Sequence, residues 1–416
     1  MKRRPRPAPA SQKEKVKTFL DERMQQGDEG AYEALQLLRG QVQRGVKQGD
    51  HASALETAQE GTLQLLQRGF TASGAEMALQ LVEVVSAFPT LPAEIGLSAF
   101  EAADRAFNEA CDEACSEACG EACNESKGPV AGKADKAKAL GCEDRLLAVL
   151  THRLKVLKAC VKWSQGRKEV GAFLLGHPRL HALAGVAYWR MAAATLQKQQ
   201  AQQSGGGGGG DLGSQNNGQY MPFAELAIKH QVLGEQPLAL AHALGGPIKA
   251  TATATSQSSA TATSQARGFG VHLLSPPKSN EHVLRRERGA ACLRACLQFL
   301  AVENLRDGHR FNTALVESWH EESEKKKCPA VFILPTLLKT CERDAATLFT
   351  ELNDSDMIVR NANGFANSRS TSGPPTTNPA ALLRQIGQKF FNIQPPPNMM
   401  TTIMSMFGGG ANDDDE

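Results

Sequence analysis

Residues 28–69 read DEGAYEALQLLRGQVQRGVKQGDHASALETAQEGTLQLLQRG, and their spacing decides the fold. Ala31, Leu35, Leu38, Val42 and Val46 recur three or four residues apart, which lines one face of a helix, and the pattern stops at Gly49. Asp50 stands where the next helix needs a capping acceptor, and Leu55, Ala58, Leu65 and Leu66 carry the face on to Gly69. Before this stretch, Val16, Phe19, Leu20 and Met24 predict a helix that ends at Gly27-Asp28. After it, Ser73 and Glu76 make an S-x-x-E capping box. The box predicts a helix carrying Met77, Leu81, Val84, Val85 and Phe88 up to Pro89. Gly27, Gly49 and Gly69 are 22 and 20 residues apart, so each interval holds one helix and one short turn. Short turns force antiparallel neighbours. Such pairs in series predict an all-α fold, an α-solenoid of antiparallel helix pairs. The strict tetratricopeptide signature is absent, so the repeat is a divergent, TPR-like one. A four-helix bundle followed by unrelated helical domains is the alternative.

Composition agrees. The 416 residues include 58 Ala and 44 Leu against 19 Val and 8 Ile, which favours helices over sheets. Lys plus Arg total 46 and Asp plus Glu 44, a formal charge of +2, so there is no global electrostatic footprint for nucleic acid or an anionic membrane. No apolar run approaches the ~18 residues of a membrane span. The basic start, Met1 to Pro7, leads into polar residues rather than the apolar core of a secretory signal. Of the ten Cys, six are scattered among Leu and Ala as small buried residues are, and a reduced, cytosolic compartment is expected.

Low-complexity tracts divide the chain. The expected order is a basic tail (1–14), N-terminal helical pairs (15–107), a Cys/Glu/Ala-rich insertion (108–140) and middle helices (141–196). A Gln/Gly linker (197–219), helices (220–244) and a Thr/Ala/Ser-rich insertion (245–280) follow. C-terminal helices (281–360), a polar linker (361–378), a helical segment (379–407) and an acidic tail (408–416) complete it. The four insertions and linkers lack the apolar content to offset their ordering entropy and are expected to be disordered or loosely attached.

Candidate chemistry is sparse. Cys111, Cys115, Cys119 and Cys123 repeat every fourth residue within E-A-C-x units. On one helix they make a row about 18 Å long, which cannot close around a single zinc whose ligands sit within ~2.3 Å. No metal is assigned. His177 and His181 have a metal-compatible i, i+4 spacing but no third ligand, and Pro178 between them reads as the first residue of a helix with Leu180, Leu183, Ala184, Ala187 and Tyr188 on its apolar face. There is no G-x-S-x-G, no Walker A and no dinucleotide fingerprint. The Gly205–Gly210 run has neither a strand before it nor a Lys after it. No catalytic or cofactor-binding residue is assigned. Met400, Ile403, Met404 and Phe407 form an adaptable apolar face suited to the protein's own body or to a partner.

Several blocks resemble one family. Val161-Lys162-Trp163-Ser164, then Leu175 to His181 (LGHPRLH) and Trp189, resemble the corresponding block of the Golgi to ER traffic protein 4 family. Gln26-Gly27-Asp28 with Tyr32-Glu33-Ala34 resembles its "GDYYEA" turn, here two residues longer. Cys296 to Leu300 and Ala345 to Leu352 are similar to its later helices, and Gln385 to Ile393 to its "IGQ-FF" ending. The resemblance spans about Lys15 to Phe407 in one order. It implies a cytosolic, non-enzymatic α-solenoid in the guided entry of tail-anchored proteins. Its N-terminal helices would engage a targeting ATPase of the Golgi to ER traffic protein 3 type. Its C-terminal half would hold a ubiquitin-like protein of the Golgi to ER traffic protein 5 type or a BAG-domain scaffold.

On that reading Arg39, Arg44 and Lys47, with Tyr32 and Glu76 nearby, are the candidate ATPase-facing strip, and a solvated helix face would look the same. Phe332, Leu334, Leu337, Leu338, Phe349, Phe390 and Phe391 are the candidate groove for the ubiquitin-like partner, although an apolar stripe is also what stacking a solenoid requires. Two rival classes remain: a helical-repeat subunit of another cytosolic complex, and a metal- or redox-responsive protein using the Cys run.

Overall fold

The computed structural model describes residues 25–124, 133–167, 173–203, 221–245, 281–318, 329–363 and 378–394, with Thr18, Glu22 and Arg23 ahead of them. Every regular element among them is helical. The chain forms two compact units, divided after Pro276.

The first unit contains α1 (Asp28–Gln48), α2 (His51–Gln67), α3 (Thr71–Ala87), α4 (Ala93–Asn124), α5 (Lys133–Ser164), α6 (Pro178–Gln203), α7 (Met221–Leu233) and α8 (Pro237–Gly245). Consecutive helices pack side by side from α1 to α8. In addition α1 touches α3, α2 touches α4 and α3 touches α5. That pattern of nearest and next-nearest neighbours is an α-solenoid. Through α5, odd-numbered helices form one layer and even-numbered helices the other.

The predicted faces are the buried ones. Ala31, Leu35, Leu38 and Val42 of α1 meet Ala58, Leu65 and Leu66 of α2 and Met77, Leu81, Val84 and Val85 of α3 in one core. Gly49 ends α1 at φ 74°, a left-handed conformation that costs a residue with a Cβ, and Gly69 repeats the device at φ 83°. Asp50 caps α2, its carboxylate accepting from the Ser53 N–H at 3.1 Å.

Three expectations are corrected. The helix after Gly69 begins at Thr71, not at Ser73, and its N-cap is Phe70 with no side-chain cap. The turn is tighter than the capping-box reading required: Gly74 N–H already donates to Phe70 O at 2.8 Å, so Ser73 and Glu76 lie inside the helix. The Cys tract does not stand apart from the helices either. It continues α4 to Asn124, because its Glu and Ala are strong helix formers and Ala110, Cys111 and Ala114 extend the buried face. Gln197 to Gln203 likewise prolong α6. The first predicted helix lies largely outside the described residues. So do most of the two later insertions, the Met-rich segment and both tails.

The second unit contains α9 (Glu281–Ala301), α10 (Leu305–Ser318), α11 (Pro329–Glu342), α12 (Ala346–Asp354), α13 (Met357–Asn363) and α14 (Pro379–Phe391). Every residue from 289 to 301 of α9 is buried, and α10, α11, α13 and α14 all pack on it. Ala290, Ala291, Ala295 and Ala301 let these neighbours approach closely, while Leu293, Leu297, Phe299 and Leu300 fill the space between them. The buried Arg294 donates from Nη1 to Ala362 O of α13 at 2.5 Å. Turns here pass through Glu303, Asp344 and Asp356, each at positive φ.

Candidate partner-binding surfaces

The N-terminal candidates divide. Tyr32 is 60% exposed on α1, and Arg39, two turns on, is half-buried on the flank facing α3. At about 100° per residue Arg39 falls within about 20° of Tyr32, whereas Lys47 is about 60° and Arg44 about 120° around the helix. Arg44 thus points away from the core with its Nε on Gly40 O at 3.2 Å. Glu76 on α3 accepts from Lys155 Nζ of α5 at 2.8 Å. That bond, with Lys155, Arg39 and His152 adding their charge, holds the Glu76 carboxyl below the usual carboxylate range against the opposing pull of its partial burial. Tyr32, Arg39, Glu76, Lys155 and His152 therefore belong to one ridge across the odd-numbered helices, and Arg44 and Lys47 lie outside it. Lys155 and His152 carry no motif of their own in the sequence. Only the i, i+3 spacing of a histidine and a lysine on α5 could have suggested them.

The LGHPRLH block is a joint between helices. Ser164 Oγ donates to Val161 O and accepts from the His177 N–H, both at 2.8 Å. Gly176, at φ 111°, turns the chain into α6, which Pro178 opens, while the His177 Nδ1 accepts from the Arg179 N–H at 3.2 Å. Arg179 then bridges to α4, bonding Glu101 at 2.7 Å and Glu94 at 2.9 Å. Trp163 packs edge-on against Phe100 at 5.1 Å under the Arg167 guanidinium. Trp189 Nε1 donates to Gln231 Oε1 of α7 at 2.9 Å. His181 bonds His230 rather than sharing a ligand with His177, and no group of three or more His, Cys, Asp or Glu is placed to hold a metal among the described residues.

Deeper in the unit, Arg153 of α5 forms a bidentate pair with Asp104 of α4, at 2.7 and 2.8 Å, and also reaches Asn108 Oδ1 at 2.5 Å. Arg190 of α6 bonds the same Asn108 oxygen at 2.7 Å and pairs with Asp112. Cys111 lies against these cations, yet burial pushes its thiol up to about 11. Burial also raises the thiols of Cys160, Cys296 and Cys341 well above the usual range, so these four are inert packing residues at neutral pH.

In the second unit the candidate groove narrows. Leu334, Leu337, Leu338 and Phe349 are core residues, 0–3% exposed, which removes them from direct reach of a partner. Phe332, on the outer side of α11, is 58% exposed. Phe390 and Phe391 are half-buried on α14, and Phe391 packs on Phe349 at 4.6 Å. Leu348, Met357 and Ile393 add exposed apolar surface to this unit and were not singled out by the sequence.

A family model for the Golgi to ER traffic protein 4 matches residues 48–409. The chain belongs to that family. Membership places it in the guided entry of tail-anchored proteins, and the matched range covers both units from the end of α1 onward. Tyr32, Arg39, Arg44 and Lys47 precede the match, whereas Glu76 and all seven groove candidates lie within it. No curated protein matches the chain. No helix among the described residues is long and apolar enough to cross a membrane.

Proposed function

We propose that the chain is a non-enzymatic cytosolic adaptor that brings a chaperone-side partner to the targeting ATPase in tail-anchored protein delivery. The membership of the Golgi to ER traffic protein 4 family carries this reading. On it, the ridge bearing Tyr32, Arg39 and Glu76, with Arg44 and Lys47 beside it, faces an ATPase of the Golgi to ER traffic protein 3 type. The surface around Phe332, Phe390 and Phe391 takes a ubiquitin-like protein of the Golgi to ER traffic protein 5 type or a BAG-domain scaffold, with Leu334, Leu337, Leu338 and Phe349 supporting it from beneath. Two docking surfaces on one chain raise the effective concentration of one partner at the other, so weak contacts suffice for handover.

The test is a pull-down of the full chain with both partner types, followed by titration of each. Both are expected in one complex. Charge reversal of Arg44 and Lys47 should weaken the ATPase about tenfold and flatten its salt dependence while leaving the other partner unaffected. Phe332→Asp should do the converse. Failure to retain either partner overturns the adaptor reading, and unchanged ATPase affinity at both low and high salt discards the Arg44/Lys47 surface alone.

A further inference from the structure

The end of α14 carries apolar surface that the core does not absorb. Asn392 leaves the helix at φ 52°, and the Ile393 N–H donates to Gly387 O at 2.9 Å, so the chain turns back on the helix it has just finished. A Cβ placed on Gly387 would stand 3.3 Å from Phe349 Cε1 and 3.7 Å from Ile393 Cβ, which brings α12 and the end of α14 together at that point. Phe391 packs on Phe349 at 4.6 Å. On α12 the half-buried Leu352 falls between Phe349 and Leu348 around the helix, so the apolar surface continues from this contact to Leu348. Leu348 is 41% exposed and Ile393 39%.

The sequence supplies a matching face close by, beyond the described residues. Met400, Ile403, Met404 and Phe407 fall at i, i+3, i+4 and i+7, with Asn398 at the position of an N-cap and Gly408 just past the end. Met399–Phe407 include no charged side chain, so laying them on an apolar strip desolvates no charge. Methionine moulds to irregular surfaces, and its sulfur contacts ring edges favourably, which suits Phe391. A helix this short is marginal in water and needs a surface to form on. Distance decides which surface. From Ile393 to Met400 the chain reaches at most about 25 Å, and Pro395-Pro396-Pro397 stiffen the link. A tether of that length holds the segment at the strip at an effective concentration on the order of 1 mM, well above that of a second copy in dilute solution.

We propose that Met399–Phe407 folds back as an amphipathic helix on the strip of Leu348, Leu352, Phe391 and Ile393 and covers it in the free chain. With an effective concentration of about 1 mM, an intrinsic dissociation constant of about 0.1 mM leaves the strip covered about ten to one. If the partner of the adaptor reading docks at Phe391, it must displace this cover, and its apparent affinity falls about tenfold. The cover itself does not depend on that reading.

Hydrogen exchange of the full-length chain, alone in solution, tests it. Amides of residues 399–407 should exchange about tenfold more slowly than their intrinsic rates, equally at low and high protein concentration. Ile403→Asp combined with Met404→Asp should abolish that protection while α9 keeps its own. Leu348→Asp and Ile393→Asp, both at exposed positions, should abolish it from the other side. The cover is overturned if residues 399–407 exchange at intrinsic rates, if their protection grows with protein concentration, or if it survives both strip variants. Should the strip variants fail to fold, a benzophenone amino acid in place of Met404 decides. Crosslinks to α12 or to residues 387–394 of the same chain support the cover; crosslinks elsewhere, between chains or none at all overturn it. Either failure leaves the two-partner pull-down, and with it the adaptor reading, untouched.

Discussion

The guanidinium of Arg153 shows how a single buried charge is tolerated. Its side chain and that of Asp104 are 1% and 3% exposed, and removing both from water would cost several kcal/mol without the two parallel bonds and the Asn108 contact that complete its coordination. The pair adds less to stability than its geometry suggests, but breaking it is expensive. Arg153→Ala should cost about 3–5 kcal/mol in chemical denaturation, because Asp104 is left buried and unpaired. A loss under 1 kcal/mol would mean that water reaches the Asp104 carboxylate. The exposed pairs behave otherwise. Lys155–Glu76 is about half in solvent and is worth a fraction of a kcal/mol, so Glu76 matters for what it presents rather than for what it holds.

Helix ends account for most of what was and was not legible. In the first unit glycine marks the turns at Gly49 and Gly69, Asp50 caps α2 and Pro178 opens α6, so elements could be located to within a residue or two. Ser73 and Glu76 misled because the same S-x-x-E pattern fits the first turn of a helix and its cap equally well. In the second unit, left-handed turns fall on Glu303, Asp344 and Asp356, residue types that carry no turn signal of the strength of glycine. The cap of α14 does follow the rules: Asn378 accepts from the Ala380 N–H at 3.0 Å and Pro379 follows it. Asp50→Ala and Asn378→Ala should each lower stability by about 1 kcal/mol, read from the denaturation midpoint, whereas Ser73→Ala should leave it within about 0.5 kcal/mol. A Ser73→Ala effect as large as the Asp50→Ala one would restore the capping box. At the candidate sites, periodicity marked Leu334, Leu337 and Leu338 as apolar but could not say inside or outside; α11 is apolar over more than one face, and only packing on α9 and α10 separates them from Phe332.

The two units differ in how their helices depend on one another. In the first, each helix leans on its immediate neighbours, with next-neighbour packing among α1 to α5, so loss of α8 should leave α1 to α5 folded. In the second, α14 is one wall of the enclosure around α9. Ending the chain before Pro379 should abolish the cooperative transition of that unit while leaving the first unit's helical signal. If the shortened chain still melts in a single sharp step of unchanged helicity, α9 is not covered in the way its burial implies.

That enclosure also sets an order of events at the ribosome. The Leu- and Phe-bearing stretch 289–301 leaves the exit tunnel early, and its last covering segment is not made until synthesis reaches Phe391. In the interval a sticky cylinder faces solvent with only part of its sheath. The carboxyl-terminal half of this protein therefore passes, during its own birth, through a need for protection much like that of the membrane-bound cargo its family helps to deliver.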